Sequence, residues 1–137
     1  MPRILSIDYG RKRTGLAWTD PMQIIATALQ TVETAKLKSF LQGLLKKEEI
    51  EAVVLGYPTR VDGSDSHITE EVREFAAYWE KTYPTIPIHL WDERFTSQLA
   101  KQALIDSGVK KKKRRDKGLI DQVSATIILQ EFMNSEL

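Results

Sequence analysis

Three acidic residues occupy positions from which they could act together. Asp8 ends the apolar run 3–8, Glu93 follows the apolar run 86–91, and Asp121 lies near the start of a helical pattern. In an open α/β sheet, ligands bind beyond the carboxyl ends of the strands. Carboxylates gathered there repel one another unless cations or protons balance them. Two divalent ions about 4 Å apart, held by shared carboxylates, would stabilise the attacking and leaving oxygens of a phosphodiester displacement.

Each of these acids also has a structural explanation. Asp8 and Gly10 fit a simple turn, because aspartate and glycine both favour turns. Asp92 or Glu93 could cap a following helix, and an acid such as Asp121 in the first turns of a helix complements its dipole. No single acid therefore identifies the site, and the prediction depends on all three meeting at one edge.

The faces of the predicted elements favour the functional interpretation. Strand alternation places Glu93 on the face of Trp91 and Asp92 on the opposite face, although a contribution of Asp92 to a metal site stays open. Asp121 shares one helical stripe with Ala125, Ile128 and Phe132, which is expected to face the core. Dipole complementarity does not require an acid to lie on the core-facing stripe, so the position of Asp121 favours a role in the site.

Basic residues are concentrated in one segment. Residues 110–117 carry a net charge of +6 and the rest of the chain a net −5, which is typical of a protein that binds a polyanion at one place. The alternative is a solvated, mobile loop. The candidate phosphate contacts are Arg11, Lys12, Arg13, Arg94, Lys110, Lys111, Lys112, Lys113, Arg114, Arg115 and Lys117.

The elements that must position these residues follow from hydrophobic periodicity. Strands are predicted at 3–8, 14–19, 24–32, 52–55 and 86–91, and helices at 34–48, 68–82, 97–107 and 117–134. Gly10 and Gly15 would permit a tight turn into the second strand, Asp20-Pro21 marks another turn, and Gly108 is expected just past a helix end. The order predicts one α/β domain over 1–137 with an RNase H-like fold. Its mixed five-stranded sheet, with the first three strands antiparallel, is flanked by helices.

Composition narrows the chemistry. The 137-residue chain has no cysteine and two histidines, which excludes cysteine-based metal sites and disulfides. A metal would be held by oxygen, and oxygen ligands suit Mg²⁺ or Mn²⁺. The sequence has no signal-peptide pattern and no apolar run of membrane-spanning length, so we expect a cytoplasmic protein without a membrane partner.

Four ordered blocks carry a resemblance to a known family. The chain resembles the YqgF family of RuvC-like Holliday junction resolvases and pre-16S rRNA nucleases over nearly its whole length. The matching blocks are IDYGRKRTGLA, LGYPTRVDGSDS, WDERFTS and KKKRRDKGLIDQVSATIILQ. By resemblance, Asp8, Glu93 and Asp121 take the acidic catalytic and metal-binding positions. The cleft beside them would be bordered by Gly10, Gly56, Pro58 and Gly63. Gly56 and Pro58 are expected to lie in a turn.

The resemblance implies a divalent-metal-dependent nuclease that matures the 5′ end of the 16S rRNA precursor. Structured precursor rRNA is then the expected partner ahead of junction DNA, and a pre-ribosomal particle is a further candidate. Two alternatives stay open: a Holliday junction resolvase, and a catalytically silent RNA- or ribosome-binding module. An actin-like ATPase is disfavoured, because it normally needs two such domains. A junction has two-fold symmetry, so resolvase action would favour a dimer; the sequence leaves oligomeric state open.

Overall fold

A computed structural model describes residues 2–57, 67–92, 102, 103, 105, 106, 108 and 117–135. Its strands are β1 (Arg3–Asp8), β2 (Arg13–Thr19), β3 (Ala26–Glu33), β4 (Ile50–Tyr57) and β5 (Ile88–Asp92). Its helices are α1 (Leu37–Lys47), which follows a 3₁₀ turn at Thr34–Lys36, α2 (His67–Thr82) and α3 (Lys117–Ser135). No helix within this part of the chain is long and apolar enough to span a membrane.

The five strands form one mixed sheet in the order β3-β2-β1-β4-β5. β1 pairs antiparallel with β2, and β2 antiparallel with β3, so the predicted meander is confirmed. β4 pairs parallel with β1 on the other side, and β5 parallel with β4. Because β1 is central, its carboxyl end lies beside that of β4, at the edge where the sequence predicts the site.

Helices cover both faces of the sheet. Leu5 and Ile7 of β1 pack in the larger core cluster with buried residues of α1 and α2, including Trp79. Ile4 lies on the opposite face against buried residues of α3. This arrangement explains why β1 carries apolar side chains on both faces, since a central strand covered on both sides is buried on both sides. Each large apolar side chain buried in this way contributes roughly 1.5–3 kcal/mol.

The turn between β2 and β3 corrects one predicted boundary. The strand predicted at 24–32 begins at Ala26, because the carboxylate of Asp20 accepts hydrogen bonds from the backbone N–H groups of Met22, Ile24 and Ile25. These bonds fold 20–25 into a closed turn, and they lower the pKa of Asp20 by stabilising its charged form. Periodicity could not detect this, since Ile24 and Ile25 resemble strand residues although both are exposed.

Two further predictions concern element ends. The strand predicted at 52–55 runs over Ile50–Tyr57, so Gly56 lies in a strand and the predicted turn at Gly56 is wrong. The helix predicted at 97–107 lies mostly outside the described residues. Gly108, however, has φ of 80° and donates its N–H to the carbonyl oxygen of Ile105 at 3.1 Å. This left-handed conformation is the one expected just past a helix end.

Candidate active site

Helix α3 is anchored on the sheet one helical turn away from Asp121. The Ser6 hydroxyl donates a hydrogen bond to the carbonyl oxygen of Ala125 at 2.8 Å, and both residues are buried. One turn of helix rises 5.4 Å, and two strand residues advance by a similar length. The step from Ser6 to Asp8 along β1 therefore matches the step from Ala125 to Asp121 along α3. This match places the two acids beside each other.

Gly15 lies between Asp8 and Asp121. Asp8 and Gly15 are direct partners in the β1–β2 pair, and opposed residues in such a pair face the same side of the sheet. A Cβ atom added to Gly15 would collide with the backbone carbonyl of Asp121 and lie 2.9 Å from its Cβ. Asp121 thus sits directly over the strand residue that faces Asp8, so the backbone brings these two acids to one place.

This geometry corrects the sequence-based interpretation of Gly15. The strand predicted at 14–19 includes Gly15, and Gly15 does lie within β2, but its missing side chain serves helix packing and not the turn into the strand. Gly10 does have the expected role in the loop after β1. A Cβ on Gly10 would collide with the carbonyl of Arg13, and the Gly10 carbonyl accepts a hydrogen bond from the Thr34 hydroxyl at 2.6 Å.

Arg13 is aimed at the acids by strand alternation. It lies two residues before Gly15 in β2 and therefore shares its face. Its Nε donates to Oδ2 of Asp121 at 3.2 Å. The side chains of Arg13 and Asp121 are 41% and 25% exposed, so water screens this ion pair only in part. The sequence suggests Arg13 as a phosphate contact, and the structure places it on a carboxylate of the site.

At the edge of the sheet where Asp8 lies, the last residues of β5 alternate between the two faces. Gly56 is the register partner of both Asp8 and Trp91, so one row crosses the sheet from β1 to β5. Trp91 packs edge-on against Phe132 of α3, with ring centroids 5.9 Å apart. Asp92 has the opposite parity and belongs to the other face. Glu93 follows immediately and lies outside the described residues.

The remaining predicted site residues divide into two groups. Arg11 is exposed and forms an ion pair with Glu71 of α2 at 3.4 Å, and Lys12 is exposed beside it. Lys117 is the first residue of α3. The other predicted site residues lie outside the described residues: Pro58, Gly63, Arg94, Lys110, Lys111, Lys112, Lys113, Arg114 and Arg115.

Sequence reasoning missed several residues that hold this site together. Besides Ser6, three threonines support it. The Thr31 hydroxyl donates to the carbonyl of Gly118 at 2.6 Å and fixes the start of α3 on β3. The hydroxyls of Thr14 and Thr34 share a hydrogen bond of 2.9 Å next to Gly10. Hydroxyl residues are common in strands and turns, so no local signal distinguishes these from ordinary ones.

The donors present suit a divalent cation. Asp8 and Asp121 are both half-buried carboxylates, and hard cations such as Mg²⁺ prefer carboxylate oxygens. The Asp121 carboxylate also accepts a hydrogen bond from the guanidinium of Arg13. No group of three possible metal-binding side chains lies within the described part of the chain, and Glu93, the third predicted ligand, is not in that part.

The fold is that of the RuvC-like resolvases. The fowlpox virus resolvase, crystallised with Holliday junction DNA, superposes with a TM-score of 0.60 at 14% identity, over 98% of this chain and 99% of that one. Thermus thermophilus RuvC, in complex with a Holliday junction substrate, gives a TM-score of 0.60 at 17% identity, with 99% and 96% of the two chains covered. These neighbours confirm the RNase H-like α/β fold class.

The chain belongs to the RuvX family, described as Holliday junction resolvase, whose family model matches residues 2–135. A relative from Flavobacterium johnsoniae is 48% identical over 136 residues, which are 99% of each chain. Another from Christiangramia forsetii is 49% identical over 133 residues, with 97% and 98% covered. Both carry the name "Putative pre-16S rRNA nuclease". The predicted family is therefore confirmed.

Gly15→Ala tests whether close packing at Asp121 positions the helix. The added methyl group must displace α3 from β2, and overpacking of this kind costs roughly 1–3 kcal/mol in the free energy of unfolding. Gly43→Ala is the matched control, because a Cβ there meets nothing within 4 Å and alanine favours a helix by about 0.5–1 kcal/mol. Urea unfolding of both variants measures this. If Gly15→Ala were as stable as the wild type, α3 would not depend on the glycine.

Proposed function

We propose that this protein is a divalent-metal-dependent nuclease that hydrolyses phosphodiester bonds in the 16S rRNA precursor, at the 5′ end. The observation that carries the proposal is that Gly15 is both the strand partner of Asp8 and the residue on which the Asp121 backbone packs. Burying part of two carboxylates at one point is unfavourable unless a cation binds beside them or one of them takes up a proton. A bound metal ion would offset this unfavourable free energy, and a metal site therefore explains why the two carboxylates lie together.

The chain would hold Mg²⁺ or Mn²⁺ through Asp8, Asp121 and Glu93. If β5 continues its alternation beyond Asp92, Glu93 takes the face of Trp91, which is the face of α3. The bound cations would supply charge stabilisation for the attacking and leaving oxygens of the phosphodiester. The protein's own contribution is to fix the carboxylates: Gly15 and Ser6 set the approach of α3, and Gly10 shapes the loop beside Asp8.

Precursor rRNA is proposed as the substrate because the relatives at 48% and 49% identity are named for it. The family description and the structural neighbours name Holliday junctions, so resolvase activity is the second candidate. A pre-ribosomal particle and the cytoplasm follow from the first candidate. The exposed charges of Arg11 and Lys12 suit either nucleic acid, since phosphate contacts do not read sequence.

Cleavage assays distinguish these candidates. The purified chain is incubated with a 5′-extended 16S precursor RNA fragment and, separately, with a four-way DNA junction, in Mg²⁺, Mn²⁺ or excess EDTA. We expect metal-dependent cleavage of the RNA and no activity in EDTA. Cleavage of the junction alone would support the resolvase, whereas cleavage of neither, or activity that survives complete chelation, would contradict the proposal.

Two adjacent acids provide a matched pair for the same assay. Glu93→Gln should reduce cleavage at least about a hundredfold, because even outer-shell partners of metal ligands are worth roughly 10–100-fold. Asp92→Asn removes the same charge one residue earlier, on the other face of β5, and should retain cleavage. Equal losses in both variants would show that strand alternation does not define the site.

The basic segment 110–117 is proposed to bind phosphates. Replacing Lys110–Lys113 with alanine should weaken binding of nucleic acid and flatten its salt dependence. The slope of log affinity against log salt should become less steep by roughly 0.7–0.9 for each removed lysine that neutralises a phosphate. Replacing Lys46 and Lys47, which lie at the end of α1, is the control for general charge. If replacing Lys110–Lys113 left the slope unchanged, the segment would be a solvated loop that makes no phosphate contacts.

A further inference from the structure

Arg13 has a contact that phosphate binding does not explain. Its Nε lies 3.2 Å from Oδ2 of Asp121, one of the carboxylates proposed to hold the metal. The two residues are 108 positions apart in the sequence, so the contact is not a by-product of local helix or turn geometry. A guanidinium and a divalent cation both bind through the same carboxylate oxygens, and an oxygen engaged by one is less available to the other.

The backbone around Arg13 keeps its side chain in this position. Arg13 is paired with Glu33 at the end of the β2–β3 ladder. Its backbone carbonyl packs closely against Gly10 in the loop that follows β1. Because the loop is tight and the strand alternates, the Arg13 side chain emerges on the face of α3. Asp121 is fixed in turn by the contact of its backbone with Gly15. The backbone therefore fixes the positions of both partners.

We propose that Arg13 is a positioning residue and an internal counter-cation of the metal site. It neutralises and orients the Asp121 carboxylate in the metal-free protein, and a divalent cation must displace it on binding. The proposal rests on the proposed function in one respect, that Asp121 is a metal ligand. It contributes to the charge balance of Asp121 beside Asp8, and it implies that Arg13 raises the metal concentration at which the site fills.

The partial exposure of the pair sets the size of the expected effect. An ion pair accessible to water contributes at most a modest amount of binding energy. Removing a competitor of that strength should tighten metal binding by about three- to fivefold. Arg13 binds through its inner Nε–H, a donor that lysine lacks. Arg13→Lys should therefore tighten metal binding less than Arg13→Gln, because the charge stays nearby.

The test is calorimetric titration of the full chain with Mn²⁺ alone, without substrate. We expect Arg13→Gln to bind Mn²⁺ about three- to fivefold more tightly than the wild type. Arg11→Gln is the matched control. It removes the same charge two residues earlier in the sequence, from an arginine that pairs with Glu71 and not with Asp121. Its Mn²⁺ affinity should change by less than twofold (about 0.4 kcal/mol).

Thermal melts provide a second readout that separates folding from binding. In EDTA, Arg13→Gln should melt slightly below the wild type, because the Asp121 carboxylate loses its ion pair with Arg13. Saturating Mn²⁺ should raise its melting temperature more than that of the wild type. Affinity that is unchanged or weaker in Arg13→Gln, or equal tightening in Arg11→Gln, would overturn the role of Arg13 alone. Failure of the wild type to bind Mn²⁺ at all would instead contradict the proposed function.

Discussion

The site depends on the close approach of α3 to the β1–β2 pair. Two contacts fix that approach: the buried hydrogen bond from Ser6 to Ala125, and the direct packing of the Asp121 backbone on Gly15. The first sets the position of the helix along the strand, and the second sets its distance from the sheet. Because a helical turn and two strand residues have similar lengths, fixing Ala125 over Ser6 also fixes Asp121 beside Asp8.

This constraint explains the unusual residues around it. The position that faces Asp8 must lack a side chain, since any Cβ there would occupy the space of α3. A nearby cation is favourable, because two half-buried carboxylates repel each other, and Arg13 supplies one from the same sheet face. The same arrangement that makes the carboxylates costly also makes them suitable for a divalent ion, which is why the charge balance of the site is inseparable from its proposed chemistry.

Much of this architecture could be predicted from local patterns. Alternation in β1 correctly separates Leu5 and Ile7 from the face of Asp8, and the helical stripe of α3 correctly places Asp121 in line with buried Ala125. These predictions work because burial on a given face depends on a period of two or 3.6 residues.

Other features depend on contacts between distant parts of the chain, which no local pattern records. Gly15 resembles a turn residue in the sequence because its partner Asp121 is far away along the chain, and the ion pair of Arg13 has the same origin. Periodicity misplaces the start of β3 because three hydrogen bonds to Asp20, rather than hydrophobic pattern, decide the conformation of residues 20–25. The role of the basic segment 110–117 stays a prediction.

Comparing stability and cleavage in Asp8→Asn, which keeps the shape of the side chain and removes its charge, distinguishes a metal ligand from a structural acid. If Asp8 is a metal ligand, the free energy of unfolding in EDTA should stay unchanged or rise slightly, because one repelling charge is removed. Cleavage of precursor RNA in Mg²⁺ should nevertheless fall severely. If Asp8 is instead a structural acid, the variant should lose roughly 1–3 kcal/mol of stability. A destabilised protein that still cleaves at the rate expected for its folded fraction would contradict the account.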